Sequence, residues 1–224
     1  MRRLLVVTNA AAGSTDDDRV AAAISVLEAA ADVRVEQCAD PGDLDRVLDG
    51  RDGRTVVLVG GDGSVHTAVD ALRRRGELSP DEPLGLVPLG TGNDLARTLG
   101  IPLEPADAAQ ALLDGSPRSL DLLVDDQDGV VVNVVHLGVG AEAAEKATGL
   151  KDRLGKAAYP VGSVLAAAAT TGWHLRVEVD GRLVETDGPA LMVAVANGRT
   201  IGGGAELAPA AEPDDGLLDV VVAT

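Results

Sequence analysis

With 224 residues the chain can bury a substantial core, and two domains are expected. Hydrophobic residues make up 46% of it, yet there is no Phe, one Trp and one Tyr, so Val, Leu, Ile and Ala must fill that core. A formal charge of −17 argues against non-specific nucleic-acid binding, because a phosphate backbone would be repelled; no nucleic-acid partner is expected. The lone Cys38 excludes an internal disulfide and any multi-cysteine metal site, and it suits a reducing cytoplasm.

The opening "MRRLLVVTNAAAG" imitates a signal peptide, but its apolar centre is shorter than the roughly 7–15 residues such a segment needs. It reads instead as a first strand, 3–9. No apolar run approaches the roughly 18–20 residues that span a bilayer, so a soluble or peripheral protein is expected. A helix with acidic residues in its first turn follows over 16–31. Strand 33–38 precedes helix 41–50, strand 55–60 precedes helix 64–76, and strand 84–90 precedes helix 93–100, which stops at Gly100 with Pro102 just beyond. Alternating strands and helices, with strands that are continuous apolar runs, predict a parallel sheet covered on both faces. The only basic cluster, Arg73–Arg75, reads as a solvated helix end with cations near the C-terminal dipole.

This α/β domain is expected over 1–122, and 123–224 is expected to be β-rich. "GVVVNVVHLGVG" is apolar and β-branched, Asp180-Gly181 is a good two-residue hairpin turn, and "ALMVAVANG" and "LLDVVVA" add strands. Between them, 141–169 looks helical, interrupted around Pro160.

In an open parallel sheet, ligands bind outside the carboxyl ends of the strands. "VVTNAAAGS", "VLVGGDGS" and "LVPLGTGND" all lie there. Glycines at a strand end let backbone N–H groups approach a ligand, and the next helix N-terminus favours an anion. Gly60, Gly61 and Gly63 therefore suit phosphate oxygens, Ser64 is a candidate N-cap, and Thr91 and Asn93 supply further donors. Bare phosphates would repel Asp62, which makes sense with an intervening divalent cation or as a group orienting a reacting hydroxyl. The plainer alternative is a tight turn with Asp62 in an Asx-turn. There is no P-loop. "VVHLGVGAEAAEKA" matches G-x-G-x-x-A through Gly138, Gly140 and Ala143 but lacks the acidic residue expected about 20 positions on. His66, His136 and His174 lie far apart and show no metal-ligand spacing; His66 alone sits beside the glycine motif. "PDDG", with Asp214, Asp215 and Gly216, reads as a turn, or as a hard oxygen site for Mg²⁺.

Taken together, "GGDGSVHTAVDAL", "LGLVPLGTGNDLARTLGIP" and "VANGRTIGGGAELAPAAEPDDGLLDVVV" resemble the diacylglycerol kinase catalytic family of bacterial lipid kinases, related to sphingosine kinases and more distantly to NAD kinases. The resemblance implies an ATP-binding α/β domain, a β-sandwich-like lipid-substrate domain, and ATP- and Mg²⁺-dependent phosphoryl transfer to a hydroxyl of diacylglycerol or a related lipid. It implies ATP contacts from Asn9 to Gly13 and from Gly60 to His66, with Thr91, and a magnesium and water network that includes Asp62. A structural Mg²⁺ would fall on Asp215 and the backbone carbonyls of Glu212 and Leu217. It implies a cytoplasmic enzyme that meets its lipid peripherally at a membrane, and it leaves a homodimer open.

The sequence departs from the family at "NAAAG", where "NPxSG" is usual, and at Thr67, where a glutamate is common. Family members usually continue for several strands that carry a glutamate general base. The second domain is therefore expected to be C-terminally incomplete, with an edge or apolar face uncovered. A non-catalytic nucleotide- or lipid-binding member and an NAD kinase are the alternative readings.

Overall fold

The computed structural model describes residues 2–9, 14–138 and 172–224. Its first half holds β1 (Arg2–Asn9), α1 (Ser14–Glu28), β2 (Ala31–Cys38), α2 (Pro41–Asp49), β3 (Thr55–Gly60), α3 (Asp62–Arg74), β4 (Gly85–Pro88), α4 (Asp94–Leu99) and α5 (Pro105–Asp114). The four strands form one parallel sheet in the order β2-β1-β3-β4. The crossover through α2 carries the chain back past β1, so strand order reverses between β1 and β3.

Period-2 alternation sorts the strand residues into two layers. Leu5, Val7, Val56 and Leu58 pack against Leu44, Val47 and Leu48 of α2 and Val65, Ala68, Val69 and Leu72 of α3. Leu4, Val6, Val57, Val59 and Val87 pack on the opposite face against Ala23 and Leu27 of α1 and Ala108 and Ala109 of α5. Both faces are thus covered over β1 and β3, which is why 4–7 and 56–59 are apolar without interruption, whereas the edge strand β2 carries Asp32, Arg34, Glu36 and Gln37. Each fully buried Val or Leu contributes about 1.5–3 kcal/mol, and among the described residues this core has no aromatic side chain.

Helix α5 has no counterpart among the expected elements. It buries Pro105, Ala108 and Ala109, and Pro105 in its first turn marks the start. Helix α3 begins at Asp62 with Gly61 as N-cap in an extended conformation, so Ser64 lies inside the first turn and the N-cap expected there is corrected. Arg73, Arg74 and Arg75 at its end pair with Asp128, Asp70 and Asp49, which agrees with a solvated helix terminus.

The second half is β-rich: β5 (Leu123–Val124), β6 (Val130–Val131), β7 (Val134–Gly138), β8 (Val177–Val179), β9 (Arg182–Val184), β10 (Met192–Ala196), β11 (Thr200–Ile201), β12 (Ala205–Glu206) and β13 (Asp219–Ala223). The expected hairpin at Asp180-Gly181 joins β8 and β9, both residues at positive φ as a type I′ turn requires. The expected long strand over 129–140 breaks at Asn133, whose carbonyl accepts the N–H groups of Asn197 and Gly198 outside any ladder.

Strands β13, β10 and β7 form an antiparallel sheet. One face packs Val134, Ala196 and Val221 against Ala208 and Ala211. The register puts Val135, Leu137, Val193, Val195, Val220 and Val222 on the other, where Val135 and Leu137 are 44% and 69% exposed. Gly138 ends an antiparallel strand paired with Met192, a setting unlike the parallel strand of a dinucleotide fingerprint. Gly140, Ala143 and the helix expected over 141–169 lie outside the described residues. Among the described residues no helix is long and apolar enough to cross a membrane.

Candidate functional site

The strand-order reversal leaves a crevice at the carboxyl edge between β1 and β3, the general position for a ligand in this architecture. A cleft of about 180 Å³ opens there, lined by Thr8 and Asn9 at the end of β1, Cys38 and Asp40 after β2, and Ser64 and Thr67 of α3. Asn9 and Ser64 were both expected at the site, and Gly63 lines the same cleft. Gly13 lies outside the described residues.

Beside the cleft, two glycine turns meet, Gly60–Gly63 and Gly90–Gly92. A Cβ on Gly90 would come within 2.6 Å of Gly61 Cα, and one on Gly60 within 2.6 Å of Ser64 Oγ, so these positions admit no side chain. Gly63, by contrast, has open space around it. Thr91 is exposed at the tip of the β4–α4 turn, available to a ligand. Asn93 takes a left-handed conformation as N-cap of α4, and its amide is spent on the turn: Oδ1 accepts Gly90 N–H at 2.8 Å and Nδ2 donates to Gly90 O at 2.7 Å.

Asp62 answers why a carboxylate sits among these glycines. Its Oδ2 accepts the Asp94 N–H at 3.1 Å and its Oδ1 the Leu95 N–H at 3.0 Å. It thus satisfies two orphan amides of α4 from a different element. It is no Asx-turn residue within its own loop, and each oxygen keeps a lone pair for a further ligand. His66 is anchored through Nε2–H, which donates to Val130 O at 3.1 Å and ties α3 to β6; this fixes the tautomer and leaves Nδ1 as an acceptor. His136 lies on β7 with its Nδ1 buried and unpartnered, and His174 is exposed far along the chain.

Asp94 is the residue that sequence reasoning missed. It is 7% exposed, and its carboxylate accepts the N–H groups of Gly203 at 2.9 Å and Gly204 at 2.8 Å, reaching into the second half. Farther along α4, Thr98 Oγ1 accepts Arg199 N–H at 3.0 Å, so the helix is gripped by the β-rich half at both ends. The one available signal was an acid at the first position of a short helix; no spacing indicates that glycines more than 100 residues away would meet it.

The expected metal turn is also braced. Asp215 Oδ1 accepts Leu217 N–H at 2.9 Å, an Asx-turn, while Oδ2 makes no hydrogen bond or ion pair among the described residues. Asp121 Oδ2 accepts Gly216 N–H at 2.7 Å, and Asp214 pairs with Arg118 at 2.6 Å, which raises the guanidinium pKa. Glu212 and Leu217 flank this turn in sequence, and their carbonyl oxygens and the Asp215 carboxylate are hard oxygen donors, the kind Mg²⁺ takes. Among the described residues no three His, Cys, Asp or Glu side chains converge as a metal-holding group, at this turn or elsewhere.

Residues 3–124 match the model of the diacylglycerol kinase catalytic domain, and 133–224 that of the YegS C-terminal NAD kinase beta sandwich-like domain. A probable lipid kinase YegS-like of Stenotrophomonas maltophilia is 38% identical over 177 residues, 75% of this chain and 55% of the relative. One from Pseudomonas aeruginosa is 37% identical over 226 residues, 98% of this chain and 71% of the relative. The crystal structure of a diacylglycerol kinase from Bacillus anthracis matches with a TM-score of 0.75 at 26% identity, covering 99% of this chain and 73% of that one. A second solved structure from the same organism gives 0.79 at 25% identity, covering 99% and 75%. Fold, glycine turns and both family models agree, and the chain belongs to the diacylglycerol kinase catalytic family of YegS-like lipid kinases.

Proposed function

We propose that the chain carries out ATP- and Mg²⁺-dependent phosphoryl transfer to the hydroxyl of diacylglycerol or a related lipid, met at a membrane surface. The observation that carries this reading is the meeting of the Gly60–Gly63 and Gly90–Gly92 turns beside a cleft at the β1/β3 crevice. Phosphoryl transfer is mostly positioning and charge neutralisation, and backbone amides supply much of both. Amides of Gly60, Gly61 and Gly63, with Ser64 and Thr91, would cradle the phosphates, and the crevice lined by Asn9 would take the rest of the nucleotide. Bound Mg²⁺ supplies neutralisation of the phosphate oxygens; Asp62 is the side chain that would hold it there, and Asp215 with the Glu212 and Leu217 carbonyls would hold a second ion that stiffens the β-rich half.

Incubation with labelled ATP, Mg²⁺ and diacylglycerol in mixed micelles tests the reading, with NAD as a parallel acceptor because the second family model is described as NAD kinase-like. Mg²⁺-dependent labelled phosphatidic acid is expected. Labelled NADP instead would overturn the lipid acceptor. Bound ATP without any product would favour a nucleotide-binding role, and no bound ATP at all would overturn the nucleotide reading.

A further inference from the structure

We propose that Asp94 is a positioning residue that couples nucleotide occupancy of the Gly60–Gly63 turn to the Gly202–Gly204 turn of the β-rich half; this rests on the nucleotide reading above. Three different groups of Asp94 are committed. Its N–H donates to Asp62 Oδ2 at 3.1 Å, its carbonyl accepts Thr200 Oγ1–H at 3.3 Å, and its two carboxylate oxygens accept the Gly203 and Gly204 amides at 2.9 and 2.8 Å. Those amides converge on one carboxylate because Gly202, Gly203 and Gly204 hold φ of +64, +96 and +108, a backbone that side chains resist.

The contacts leave no slack. A Cβ on Gly92 would lie 3.0 Å from Asp94 Oδ2, 3.1 Å from Asp62 Oδ2 and 3.7 Å from Gly203 N. The links made through the Asp62 and Asp94 side chains are hydrogen bonds to a carboxylate, stronger and more directional than a neutral one. A phosphate and its cation arriving at the Gly60–Gly63 turn draw on the same Asp62 carboxylate that holds α4. Any adjustment of Asp62 reaches Asp94 through the first amides of a six-residue helix, and Asp94 passes it to the glycine turn. By linkage, a coupling of this kind is reciprocal: what orders the Gly202–Gly204 turn also favours nucleotide.

Hydrogen exchange followed by mass spectrometry on the peptide covering 200–206, with and without ATP and Mg²⁺, reads the coupling without requiring turnover. In the wild type, saturating ATP should slow exchange there about fivefold or more, the lower end of ordinary coupling between sites. Asp94→Asn loses one acceptor and turns a donor toward the glycine amides; it should bind ATP within about threefold of wild type, since the Gly60–Gly63 turn is untouched, yet show no ATP response at 200–206. Asp94→Glu, which keeps the carboxylate, should retain part of the response. A merely structural Asp94 would raise exchange at 200–206 equally with and without ATP and leave the response intact, and that result overturns the proposal. So does a wild-type chain that binds ATP with no change at 200–206, whether or not the variants fold. A wild-type chain that binds no ATP overturns the nucleotide reading and the coupling with it.

Discussion

Gly90 and Gly63 lie in neighbouring turns yet should respond in opposite ways to the same added methyl group. Neither has a positive φ, so conformational strain does not confuse the comparison. A Cβ on Gly90 would stand 2.6 Å from Gly61 Cα and 2.9 Å from Asn93 Oδ1. Carbon atoms rest at about 3.5–4.0 Å, so the two backbones must part by roughly 1 Å. Overpacking of this size costs about 1–3 kcal/mol, and for a chain of this length each kcal/mol lowers Tm by roughly 2–4 °C. Gly90→Ala should therefore lose roughly 2–12 °C in a thermal melt, by the same two ranges. A Cβ on Gly63 meets nothing within 4 Å, and the residue sits in the first turn of α3. Gly63→Ala should leave stability unchanged or gain up to about 1 kcal/mol from reduced backbone entropy. If phosphate oxygens approach that backbone closely, the same methyl group blocks them. Loss of one charge-assisted amide contact, about 1.5–3 kcal/mol, raises the ATP dissociation constant roughly 10- to 150-fold. Calorimetric titration of the folded variant reads this directly. A Gly63→Ala chain that binds ATP like the wild type would refute the phosphate assignment, and a Gly90→Ala chain with an unshifted melt would refute the packing argument.

Asp62→Ala should expose the Asp94 and Leu95 amides to exchange, measured by NMR, and cost about 0.5–2 kcal/mol as the loss of a helix cap does; unchanged protection of those two amides would count against the capping role. Cys38 lines the cleft, and burial first, then the charges of Asp43 and Glu36, push its thiol pKa up. A raised pKa lowers the thiolate fraction at any given pH, so iodoacetamide should label Cys38 more slowly than a free thiol near pH 8, with the rate still climbing above pH 9 and falling when ATP is present. ATP-independent labelling would place the nucleotide elsewhere. Asn197→Ala should be among the more destabilising changes in the β-rich half, because the 1% exposed amide donates to both Asp121 O and Val132 O. Each stranded carbonyl costs about 1–3 kcal/mol, and a melt within 1 °C of wild type, far short of the roughly 2–4 °C each kcal/mol should produce, would contradict that reading.

The parallel sheet was legible because its determinants are local in sequence. Unbroken runs such as "TVVLVG" leave no polar face, and only a strand covered on both sides tolerates that. The type I′ hairpin at Asp180-Gly181 was legible for a similar reason, since two adjacent residues carry the whole conformational requirement. Helix α5 escaped although Pro105 in its first turn marks its start, and the break at Asn133 escaped because it is imposed by Asn197 and Gly198, 64 and 65 positions away.

The site divides along the same line. Glycine at strand ends announces a backbone that a ligand can approach, so the turns around Gly60–Gly63 and Gly90–Gly92 could be read from the chain alone. What Asp62 does there could not. Its partners, Asp94 and Leu95, stand 32 and 33 residues on, and those of Asp94 lie 109 and 110 residues farther. Hydrogen bonds between elements depend on how crossovers bring strand ends together, and no one-dimensional spacing encodes that. The sequence by itself determined the layered α/β half, the β-rich half and the glycine turns at the strand ends, because propensity, burial period and missing Cβ atoms are properties of neighbouring residues. Only the tertiary structure decided that the two halves are clasped through α4 by two carboxylates, because a short-range force can select a partner only after folding has carried it within about 3 Å.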